Sequence, residues 1–292
     1  MDLTTFAADV GRRGPVTVVG GRTQWTVGGS VASGTREVWA PAGIVSYEPA
    51  EMTVRCGAGT TVTDLDAALA ERGQTVALPD WEGATVGGVL AVGRSGIRRL
   101  GYGPIRDVLL EARYVSSEGE VVKAGGPTVK NVSGFDLCRM LVGSLGTLGL
   151  LAEVVLRVRP LPAVSTWFST ASDPFELLGR LHKPTSLLWD GATTWALLEG
   201  HPDDIDQEAR ANGLQPADGP PALPAGRRSL RPSALRGLGR GRGFVAEVGV
   251  GIVHGDRADE DAPAPPDRAD LHRRLKEAFD PDGRLNPGRR VA

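Results

Sequence analysis

Between Leu78 and Leu151 the chain sets out four glycine-bearing clusters in a fixed order: Ala84-Thr85-Val86-Gly87-Gly88, Arg99-Leu100-Gly101-Tyr102-Gly103, Lys130-Asn131-Val132-Ser133-Gly134-Phe135-Asp136 and Gly143-Ser144-Leu145-Gly146-Thr147-Leu148-Gly149. Glycine lets backbone N–H groups come close to an anion and takes the positive φ angles that make a concave nest, which suits such a region to wrapping a nucleotide. A further pair, Gly20-Gly21, follows the β-branched run Val16-Thr17-Val18-Val19 and leads into Arg22-Thr23-Gln24. This is a candidate pyrophosphate cradle to which the Arg22 charge contributes. Taken singly, each cluster is an ordinary turn signal. Gly20-Gly21 lacks the spaced glycines of the P-loop and of the dinucleotide fingerprint, so a nicotinamide or ATP enzyme of the familiar type is disfavoured.

A chain of 292 residues with 41% hydrophobic content is long enough for one large or two modest globular domains. The net charge of −2, from 33 basic and 35 acidic residues, provides no field that would draw nucleic acid or anionic lipid. The two cysteines, Cys56 and Cys138, have no second cysteine or histidine at metal-ligand spacing, which argues against zinc or an iron-sulfur cluster in this chain; a metal centre would sit on a partner. The start, Met1 to Phe6, does not resemble a secretory signal, and no run approaches the ~20 apolar residues needed to span a bilayer. A cytoplasmic protein without direct membrane insertion is expected.

The order of elements predicts an α+β fold. Val16–Val19 and Thr53–Cys56 read as strands entering turns, and Thr63 is the expected cap of a helix running to Arg72, with Gly73 as its stop. Val108–Val115 and Gly119–Val122 read as strands joined by a turn at Ser116 to Gly119, and Ser133–Leu141 as a helix with Asp136 capping or orienting it. Leu150–Val158 reads as a long strand closed by Pro160 and Pro162, and a domain boundary is placed there. Beyond it, strands at 164–170, 186–189 and 194–198 alternate with helices at 174–181 and 203–212, a pattern of a smaller α+β domain with an antiparallel sheet. The stretch 214–243 is dominated by proline, glycine and arginine, including Arg227, Arg228, Arg231, Arg236, Arg240 and Arg242. It is expected to be a solvated or partly disordered loop, with docking to an acidic partner as the alternative. A single strand at 244–254, an acidic proline-rich link and a helix at 269–279 complete the chain. The expected domains are 1–162, 163–268 and a helix and tail at 269–292 that return to the first domain.

The order of the clusters is more specific than any one of them. It resembles the FAD-binding domain of the vanillyl-alcohol oxidase, or PCMH, superfamily. The correspondence lies in Gly20 to Gln24, Ala84 to Gly88, Tyr102-Gly103-Pro104-Ile105-Arg106-Asp107 and Gly143 to Leu151, and it resumes within Leu271 to Gly288, where Phe279-Asp280-Pro281 and Asn286-Pro287-Gly288 look like the superfamily's C-terminal signature. Gly43 to Thr53 and Lys130 to Ser144 look most like the E-type FAD-binding subunits of bacterial glycolate oxidase. The resemblance implies a two-subdomain FAD-binding domain followed by a smaller cap or substrate domain. It implies FAD contacts from Gly20, Gly21, Arg22, Thr23, Gln24, Pro79, Ala84, Thr85, Gly87, Gly88, Gly96, Tyr102, Gly103, Arg106, Asp107, Lys130, Gly134, Gly146, Leu151 and Asn286. It also implies a complex with a D-type flavoprotein and an iron-sulfur subunit. The first glycine loop reads Arg22-Thr23-Gln24-Trp25, with no histidine, whereas superfamily members with flavin attached at this loop carry one; noncovalent FAD is expected.

Oxidation of a 2-hydroxy acid such as glycolate calls for a base and for cations that hold the carboxylate, while the flavin carries the hydride. The histidines His182, His201, His254 and His272 are few; His254, at the end of a strand, is a candidate base whose more ordinary role is structural, and no catalytic residue is assigned. Arg98 and Arg99 are candidate carboxylate holders, Lys130 a candidate for neutralising flavin or phosphate charge, and Trp25 and Trp81 candidates for stacking on the flavin or for local core. Two functions follow: an FAD-dependent 2-hydroxy-acid oxidoreductase subunit, or a noncatalytic flavin-bearing subunit that docks a catalytic partner.

Overall fold

The computed structural model describes residues 2–79, 81–126, 136–239, 243–256 and 266–291, with the side chains of 266–268 left aside. The chain forms two compact units. The first comprises Met1–Ser95, Pro104–Leu161 and Pro263–Ala292, the second Gly96–Gly103 and Pro162–Ala262.

In the first unit, helix α1 (Leu3–Val10) leads to β1 (Val16–Val18), which pairs in parallel with β2 (Arg36–Val38). α1 turns Leu3, Phe6 and Val10 onto Val16, Val38, Val115 and Leu150, a small core of its own. A six-stranded antiparallel sheet follows. It is built from β3 (Ile44–Glu48), β4 (Thr53–Gly57), β5 (Gln74–Val76), β6 (Leu109–Val115), β7 (Val121–Gly125) and β8 (Leu150–Pro160), in the order β3-β4-β8-β6-β7 with β5 paired to the far end of β8. Helices α2 (Val62–Ala70), α3 (Val86–Val92) and α4 (Leu137–Leu141) supply the cover. The cap of α2 is Thr61, two residues before the expected Thr63: the Thr61 hydroxyl oxygen accepts from the Asp64 N–H at 3.1 Å, and Val62 is already a buried helical residue. Asp136 caps α4, accepting from the Arg139 N–H at 3.1 Å, while the preceding part of the helix expected from Ser133 lies outside the described residues.

β8 is the axis of this unit. From Leu150 to Val158 only Arg157 is exposed, so the strand is buried on both faces where sequence alternation suggested one. On one face Val154 and Leu156 join Val54, Cys56, Ala112 and Tyr114 against Leu65 and Leu69 of α2, Leu90 of α3 and Leu141 of α4. Each such aliphatic side chain contributes about 1.5–3 kcal/mol by leaving water. The other face carries ions. Arg55 donates to Glu111 and Glu153, 2.9 Å each, and Lys123 lies 3.1 Å from the second Glu111 oxygen. Burial pushes the Glu111 carboxyl up, but the hydrogen bonds and charges of Arg55 and Lys123 more than offset this and hold it below the usual glutamate range.

The second unit is a seven-stranded antiparallel sheet in the order β12-β9-β11-β10-β14-β15-β13. Its strands are β9 (Val164–Thr170), β10 (Ser186–Trp189), β11 (Thr194–Gly200), β12 (Gln215–Ala217), β13 (Gly226–Ser229), β14 (Val245–Glu247) and β15 (Ile252–Gly255). α5 (Pro174–Arg180) and α6 (Pro202–Ala211) pack on one face through Leu177 and Ile205 against Phe168, Leu187, Leu198 and Ala246. Two expectations are corrected. The stretch 214–243 is not a plain loop: it holds β12, β13 and a 3-10 turn at Pro232–Gly237, fixed by the fully buried Leu235 and by Arg236 stacked 4.4 Å over Phe175. Arg240 and Arg242 lie outside the described residues. The expected single strand at 244–254 is a hairpin, because the chain reverses through Gly249 and Gly251, both at positive φ.

The segment Gly96–Gly103, assigned by sequence order to the first domain, clusters with the second unit. Its Gly101 N–H donates to the Thr185 carbonyl at 3.1 Å, and the Tyr102 hydroxyl donates to Glu199 at 2.7 Å. The chain returns to the first unit with α7 (Pro266–Phe279), whose Leu275 and Phe279 pack on its main core. No helix among the described residues is long and apolar enough to cross a membrane.

Replacing Arg55 removes the cation shared by two buried carboxylates and leaves Glu111 with Lys123 at 3.1 Å and Glu153 with Arg113 at 3.4 Å. We expect Arg55→Ala to lower the unfolding free energy by about 3 kcal/mol at pH 7. Because the folded Glu111 value is depressed, its contribution is intact above the ordinary value of about 4.3 and is lost as pH falls through the folded value. Denaturant unfolding of both proteins from pH 7 to pH 3 should therefore show the difference shrinking in acid; a gap independent of pH would contradict the assignment.

Candidate cofactor site

The glycines after β1 are dictated by the closeness of another loop. A Cβ on Gly20 would lie 2.2 Å from the Thr85 hydroxyl oxygen, and one on Gly21 only 1.7 Å from the Gly83 carbonyl oxygen. Thr85 caps α3, accepting from the Gly88 N–H at 3.3 Å. Gly87 donates its N–H to the Ala58 carbonyl at 2.7 Å. The run Gly143–Leu151 is tied to the end of the same helix, Gly143 and Leu145 donating to the carbonyls of Leu90 and Ala91 at 3.0 and 2.8 Å.

These loops line two adjoining open clefts of about 590 and 500 Å³, the solvent at their mouths included. The first is lined by Gly20, Gly21, Arg22, Thr23, Gln24, Trp25, Val27, Val89, Val92, Leu145 and Arg289, the second by Ala58, Gly59, Gly87, Leu141, Ser144, Gly146, Gly149 and Leu151. Val18, Gly20, Thr85, Gly88, Ala91 and Asn286 belong to both walls, which makes one groove.

Two guanidiniums face the first cavity. Arg22, held at φ +56°, is paired with Glu37 at 2.6 Å. Arg22 and Arg289 each stand 4.7 Å from the centre of the Trp25 ring. Burial lowers the Arg289 pKa from its ordinary value, but a guanidinium remains charged at neutral pH. Gln24 accepts from Arg94 at 3.2 Å. Asn286 closes the groove floor, accepting from the Thr17 hydroxyl, donating its side-chain N–H to the Leu145 carbonyl, and donating its backbone N–H to the Val16 carbonyl at 2.8 Å.

Residues 5–125 match the family model of the FAD binding domain, and residues 246–289 match that of the C-terminal domain of FAD linked oxidases. The chain carries the FAD binding domain of the PCMH-type FAD-linked oxidases. Among its relatives, glycolate oxidase subunit GlcE of Escherichia coli is 37% identical over 154 residues, covering 52% of this chain and 44% of that one. A D-lactate dehydrogenase of Archaeoglobus fulgidus is 41% identical over 106 residues, covering 36% of this chain and 24% of that one. The matched segment is thus less than half the length of either relative. A solved structure of alkyldihydroxyacetonephosphate synthase shares the fold, with a TM-score of 0.68 at 14% identity, over 98% of this chain and 72% of that one.

The groove brings together Gly20, Gly21, Arg22, Thr23, Gln24, Thr85, Gly87, Gly88, Gly146, Leu151 and Asn286 of the residues singled out from sequence. Others stand apart from its walls. Ala84 is buried and its carbonyl accepts from the Val62 N–H at 2.9 Å. Pro79 is half-buried and Arg106 exposed. Asp107 pairs with Arg139 at 3.2 Å and takes the Arg157 guanidinium on its carbonyl at 2.8 Å. Gly96, Tyr102 and Gly103 sit in the second unit, and Lys130 and Gly134 lie outside the described residues. Ser144 and Gly149 belong to the Gly143-to-Leu151 cluster without having been named singly as contacts, whereas Arg289 was not anticipated; it directly follows the Asn286-Pro287-Gly288 signature, which is the one signal that could have pointed to it.

The remaining candidates have other partners. His254 Nε2 lies 2.9 Å from Glu247 in the second unit, with side-chain exposures of 12% and 3%. His272 bonds the Val291 carbonyl at 3.2 Å, His201 lies 3.8 Å from Asp203, and the backbone N–H of His182 donates to Glu208. Arg98 lies 3.5 Å from Glu199 in the second unit, and Trp81 packs against the main core of the first. Both cysteines are buried and free, and burial pushes Cys56 up to about 12 and Cys138 up to about 11, which keeps them as unreactive thiols.

The Gly83 carbonyl is backbone and cannot swing aside, so Gly21→Ala should cost about 1–3 kcal/mol of stability and reduce the flavin that co-purifies. Gly179→Ala in α5, with nothing within 4 Å of the added methyl, should be neutral or stabilise by up to about 1 kcal/mol. Thermal melts of the two variants alongside the parent, with flavin absorbance per chain, check this; equal behaviour would show that the loops tolerate separation.

Proposed function

We propose that this chain is the FAD-bearing subunit of an oxidoreductase that converts a 2-hydroxy acid of the glycolate type to the 2-oxo acid, working beside a D-type flavoprotein and an iron-sulfur subunit. The observation that carries the reading is the groove itself: glycine loops too close for any side chain, with two guanidiniums and several apolar side chains in its lining, in a chain that matches the FAD binding domain. This donor set fits a dinucleotide with a charged middle. Gly20, Gly21 and Gly88 bring bare backbone to the groove wall for the diphosphate, Arg22 and Arg289 supply opposite charge, and Val89, Leu145 and Leu151 supply contact for flat rings.

Bound FAD supplies the hydride acceptor for the substrate α-carbon and a two-electron store. The chain's part is to hold the dinucleotide, keep water from its apolar faces and fix its charge. Attachment is noncovalent in this reading, because the Arg22-Thr23-Gln24-Trp25 wall has no imidazole to bond the flavin. The relatives named as a glycolate oxidase subunit and a D-lactate dehydrogenase support a 2-hydroxy acid as substrate.

One observation favours a second reading, a flavin-bearing assembly or electron-relay subunit that docks a catalytic partner. The groove walls, among the described residues, carry neither imidazole nor carboxylate to take the hydroxyl proton. Anaerobic mixing of the flavin-loaded chain with glycolate or D-lactate separates the two. Bleaching of the yellow band supports direct oxidation; a band that persists until partner subunits are added supports the relay role. Acid precipitation should leave all flavin in the supernatant. A reconstituted chain with no flavin absorbance would contradict both readings.

A further inference from the structure

The end of the chain completes the backbone of the loop that walls the groove. Loop 22–29 passes through three successive turns in which Trp25, Val27 and Gly29 donate their N–H groups to the carbonyls of Arg22, Gln24 and Thr26, at 3.2, 3.2 and 3.1 Å. The tail takes carbonyls those turns do not use. Arg289 Nη1 donates to the carbonyls of Trp25, Val27 (2.9 Å) and Gly29, and the Arg290 backbone N–H donates to the Gly28 carbonyl at 2.8 Å. The Trp25 and Val27 carbonyls are part-buried and the Gly29 carbonyl is exposed, so what this one guanidinium adds is a common donor that ties three points of the loop together.

Arg289 has a second property. It shares the Trp25 ring with Arg22, and Arg22 has Glu37 as its counter-charge. Among the described residues no carboxylate is paired with Arg289, although its side chain faces the cavity. Two cations on one aromatic ring repel each other, and an anion between them and the groove removes that cost.

We propose that Arg289 is a latch that makes docking of the C-terminal tail and retention of the cofactor a single event. It is a positioning residue: its donors template loop 22–29, and its charge is completed by the diphosphate. The inference rests on the FAD reading given above. Linkage is reciprocal, so whatever the tail contributes to FAD affinity, FAD returns as protection of the tail.

The test compares the parent chain with Arg289→Met, which keeps side-chain length without donors, and Arg289→Lys, which keeps the charge without the fork. FAD affinity is measured by titration, and backbone hydrogen exchange is followed across 22–29 and 288–291 with and without FAD. We expect Arg289→Met to weaken FAD binding at least tenfold and to deprotect Trp25, Val27 and Gly29 even without FAD. Arg289→Lys should fall between it and the parent, and in the parent FAD should slow exchange in the tail. Circular dichroism confirms folding; if Arg289→Met does not fold, Arg289→Lys carries the comparison. Parent-like affinity and exchange in Arg289→Met would overturn the latch, and loop deprotection with unchanged affinity would overturn the coupling. A parent chain that binds no FAD would instead refute the proposed function, while exchange in the FAD-free loop would still report whether Arg289 holds it.

Discussion

Asn286 is the joint on which the groove depends. Its side chain is shared between Thr17, 269 residues away in sequence, and the Leu145 carbonyl, and its backbone N–H extends the edge of the β1 strand through Val16. Asparagine is one of the few residues that accept the left-handed backbone it adopts, φ +47°. Removing this amide would leave a buried hydroxyl and a carbonyl of the glycine run without their partner, and three chain segments without a common contact.

The residues before it explain why that joint is rigid. Asp280 is buried and accepts from the N–H groups of Arg284 and Leu285 at 3.0 and 2.7 Å, with Lys276 as its counter-ion. Arg284, almost fully buried, donates to the carbonyls of Val10 at the end of α1, Gly14 in the connection to β1 and Ser117 in the β6–β7 turn, at 2.7, 3.1 and 2.8 Å. Buried charges are costly unless fully bonded; here every partner is a backbone group or an opposite charge, so the tail is set in one position. The same logic runs through the sheet, where the apolar core lies on one face of β8 and the Arg55–Glu111–Glu153 network on the other.

Much of the groove was legible in the sequence because close approach leaves a mark: where backbones touch, only glycine fits, and Gly20, Gly21 and Gly87 are such places. Strands with β-branched runs and helices with a cap and a stop were legible for the same local reasons. What failed depended on distant contacts. The arginine-rich stretch after Leu214 looked too polar to order, yet Leu235 and the Arg236–Phe175 stack anchor it. Tyr102 carries a motif shared with flavin loops, but its hydroxyl is committed to Glu199, a partner 97 residues on. Arg289 was invisible as a site residue because nothing local says that a surface-type residue at a chain end bonds three carbonyls some 260 residues earlier.

We propose that the groove between the Gly20 loop, α3 and the Asn286–Arg289 tail holds FAD. A crystal structure of the flavin-loaded chain tests it most directly. Diphosphate density is expected against Gly20 to Gln24 and Gly88, with Arg289 in contact with the loop. Density for FAD elsewhere on the chain, or a groove closed to it by the loops as they stand, would contradict it.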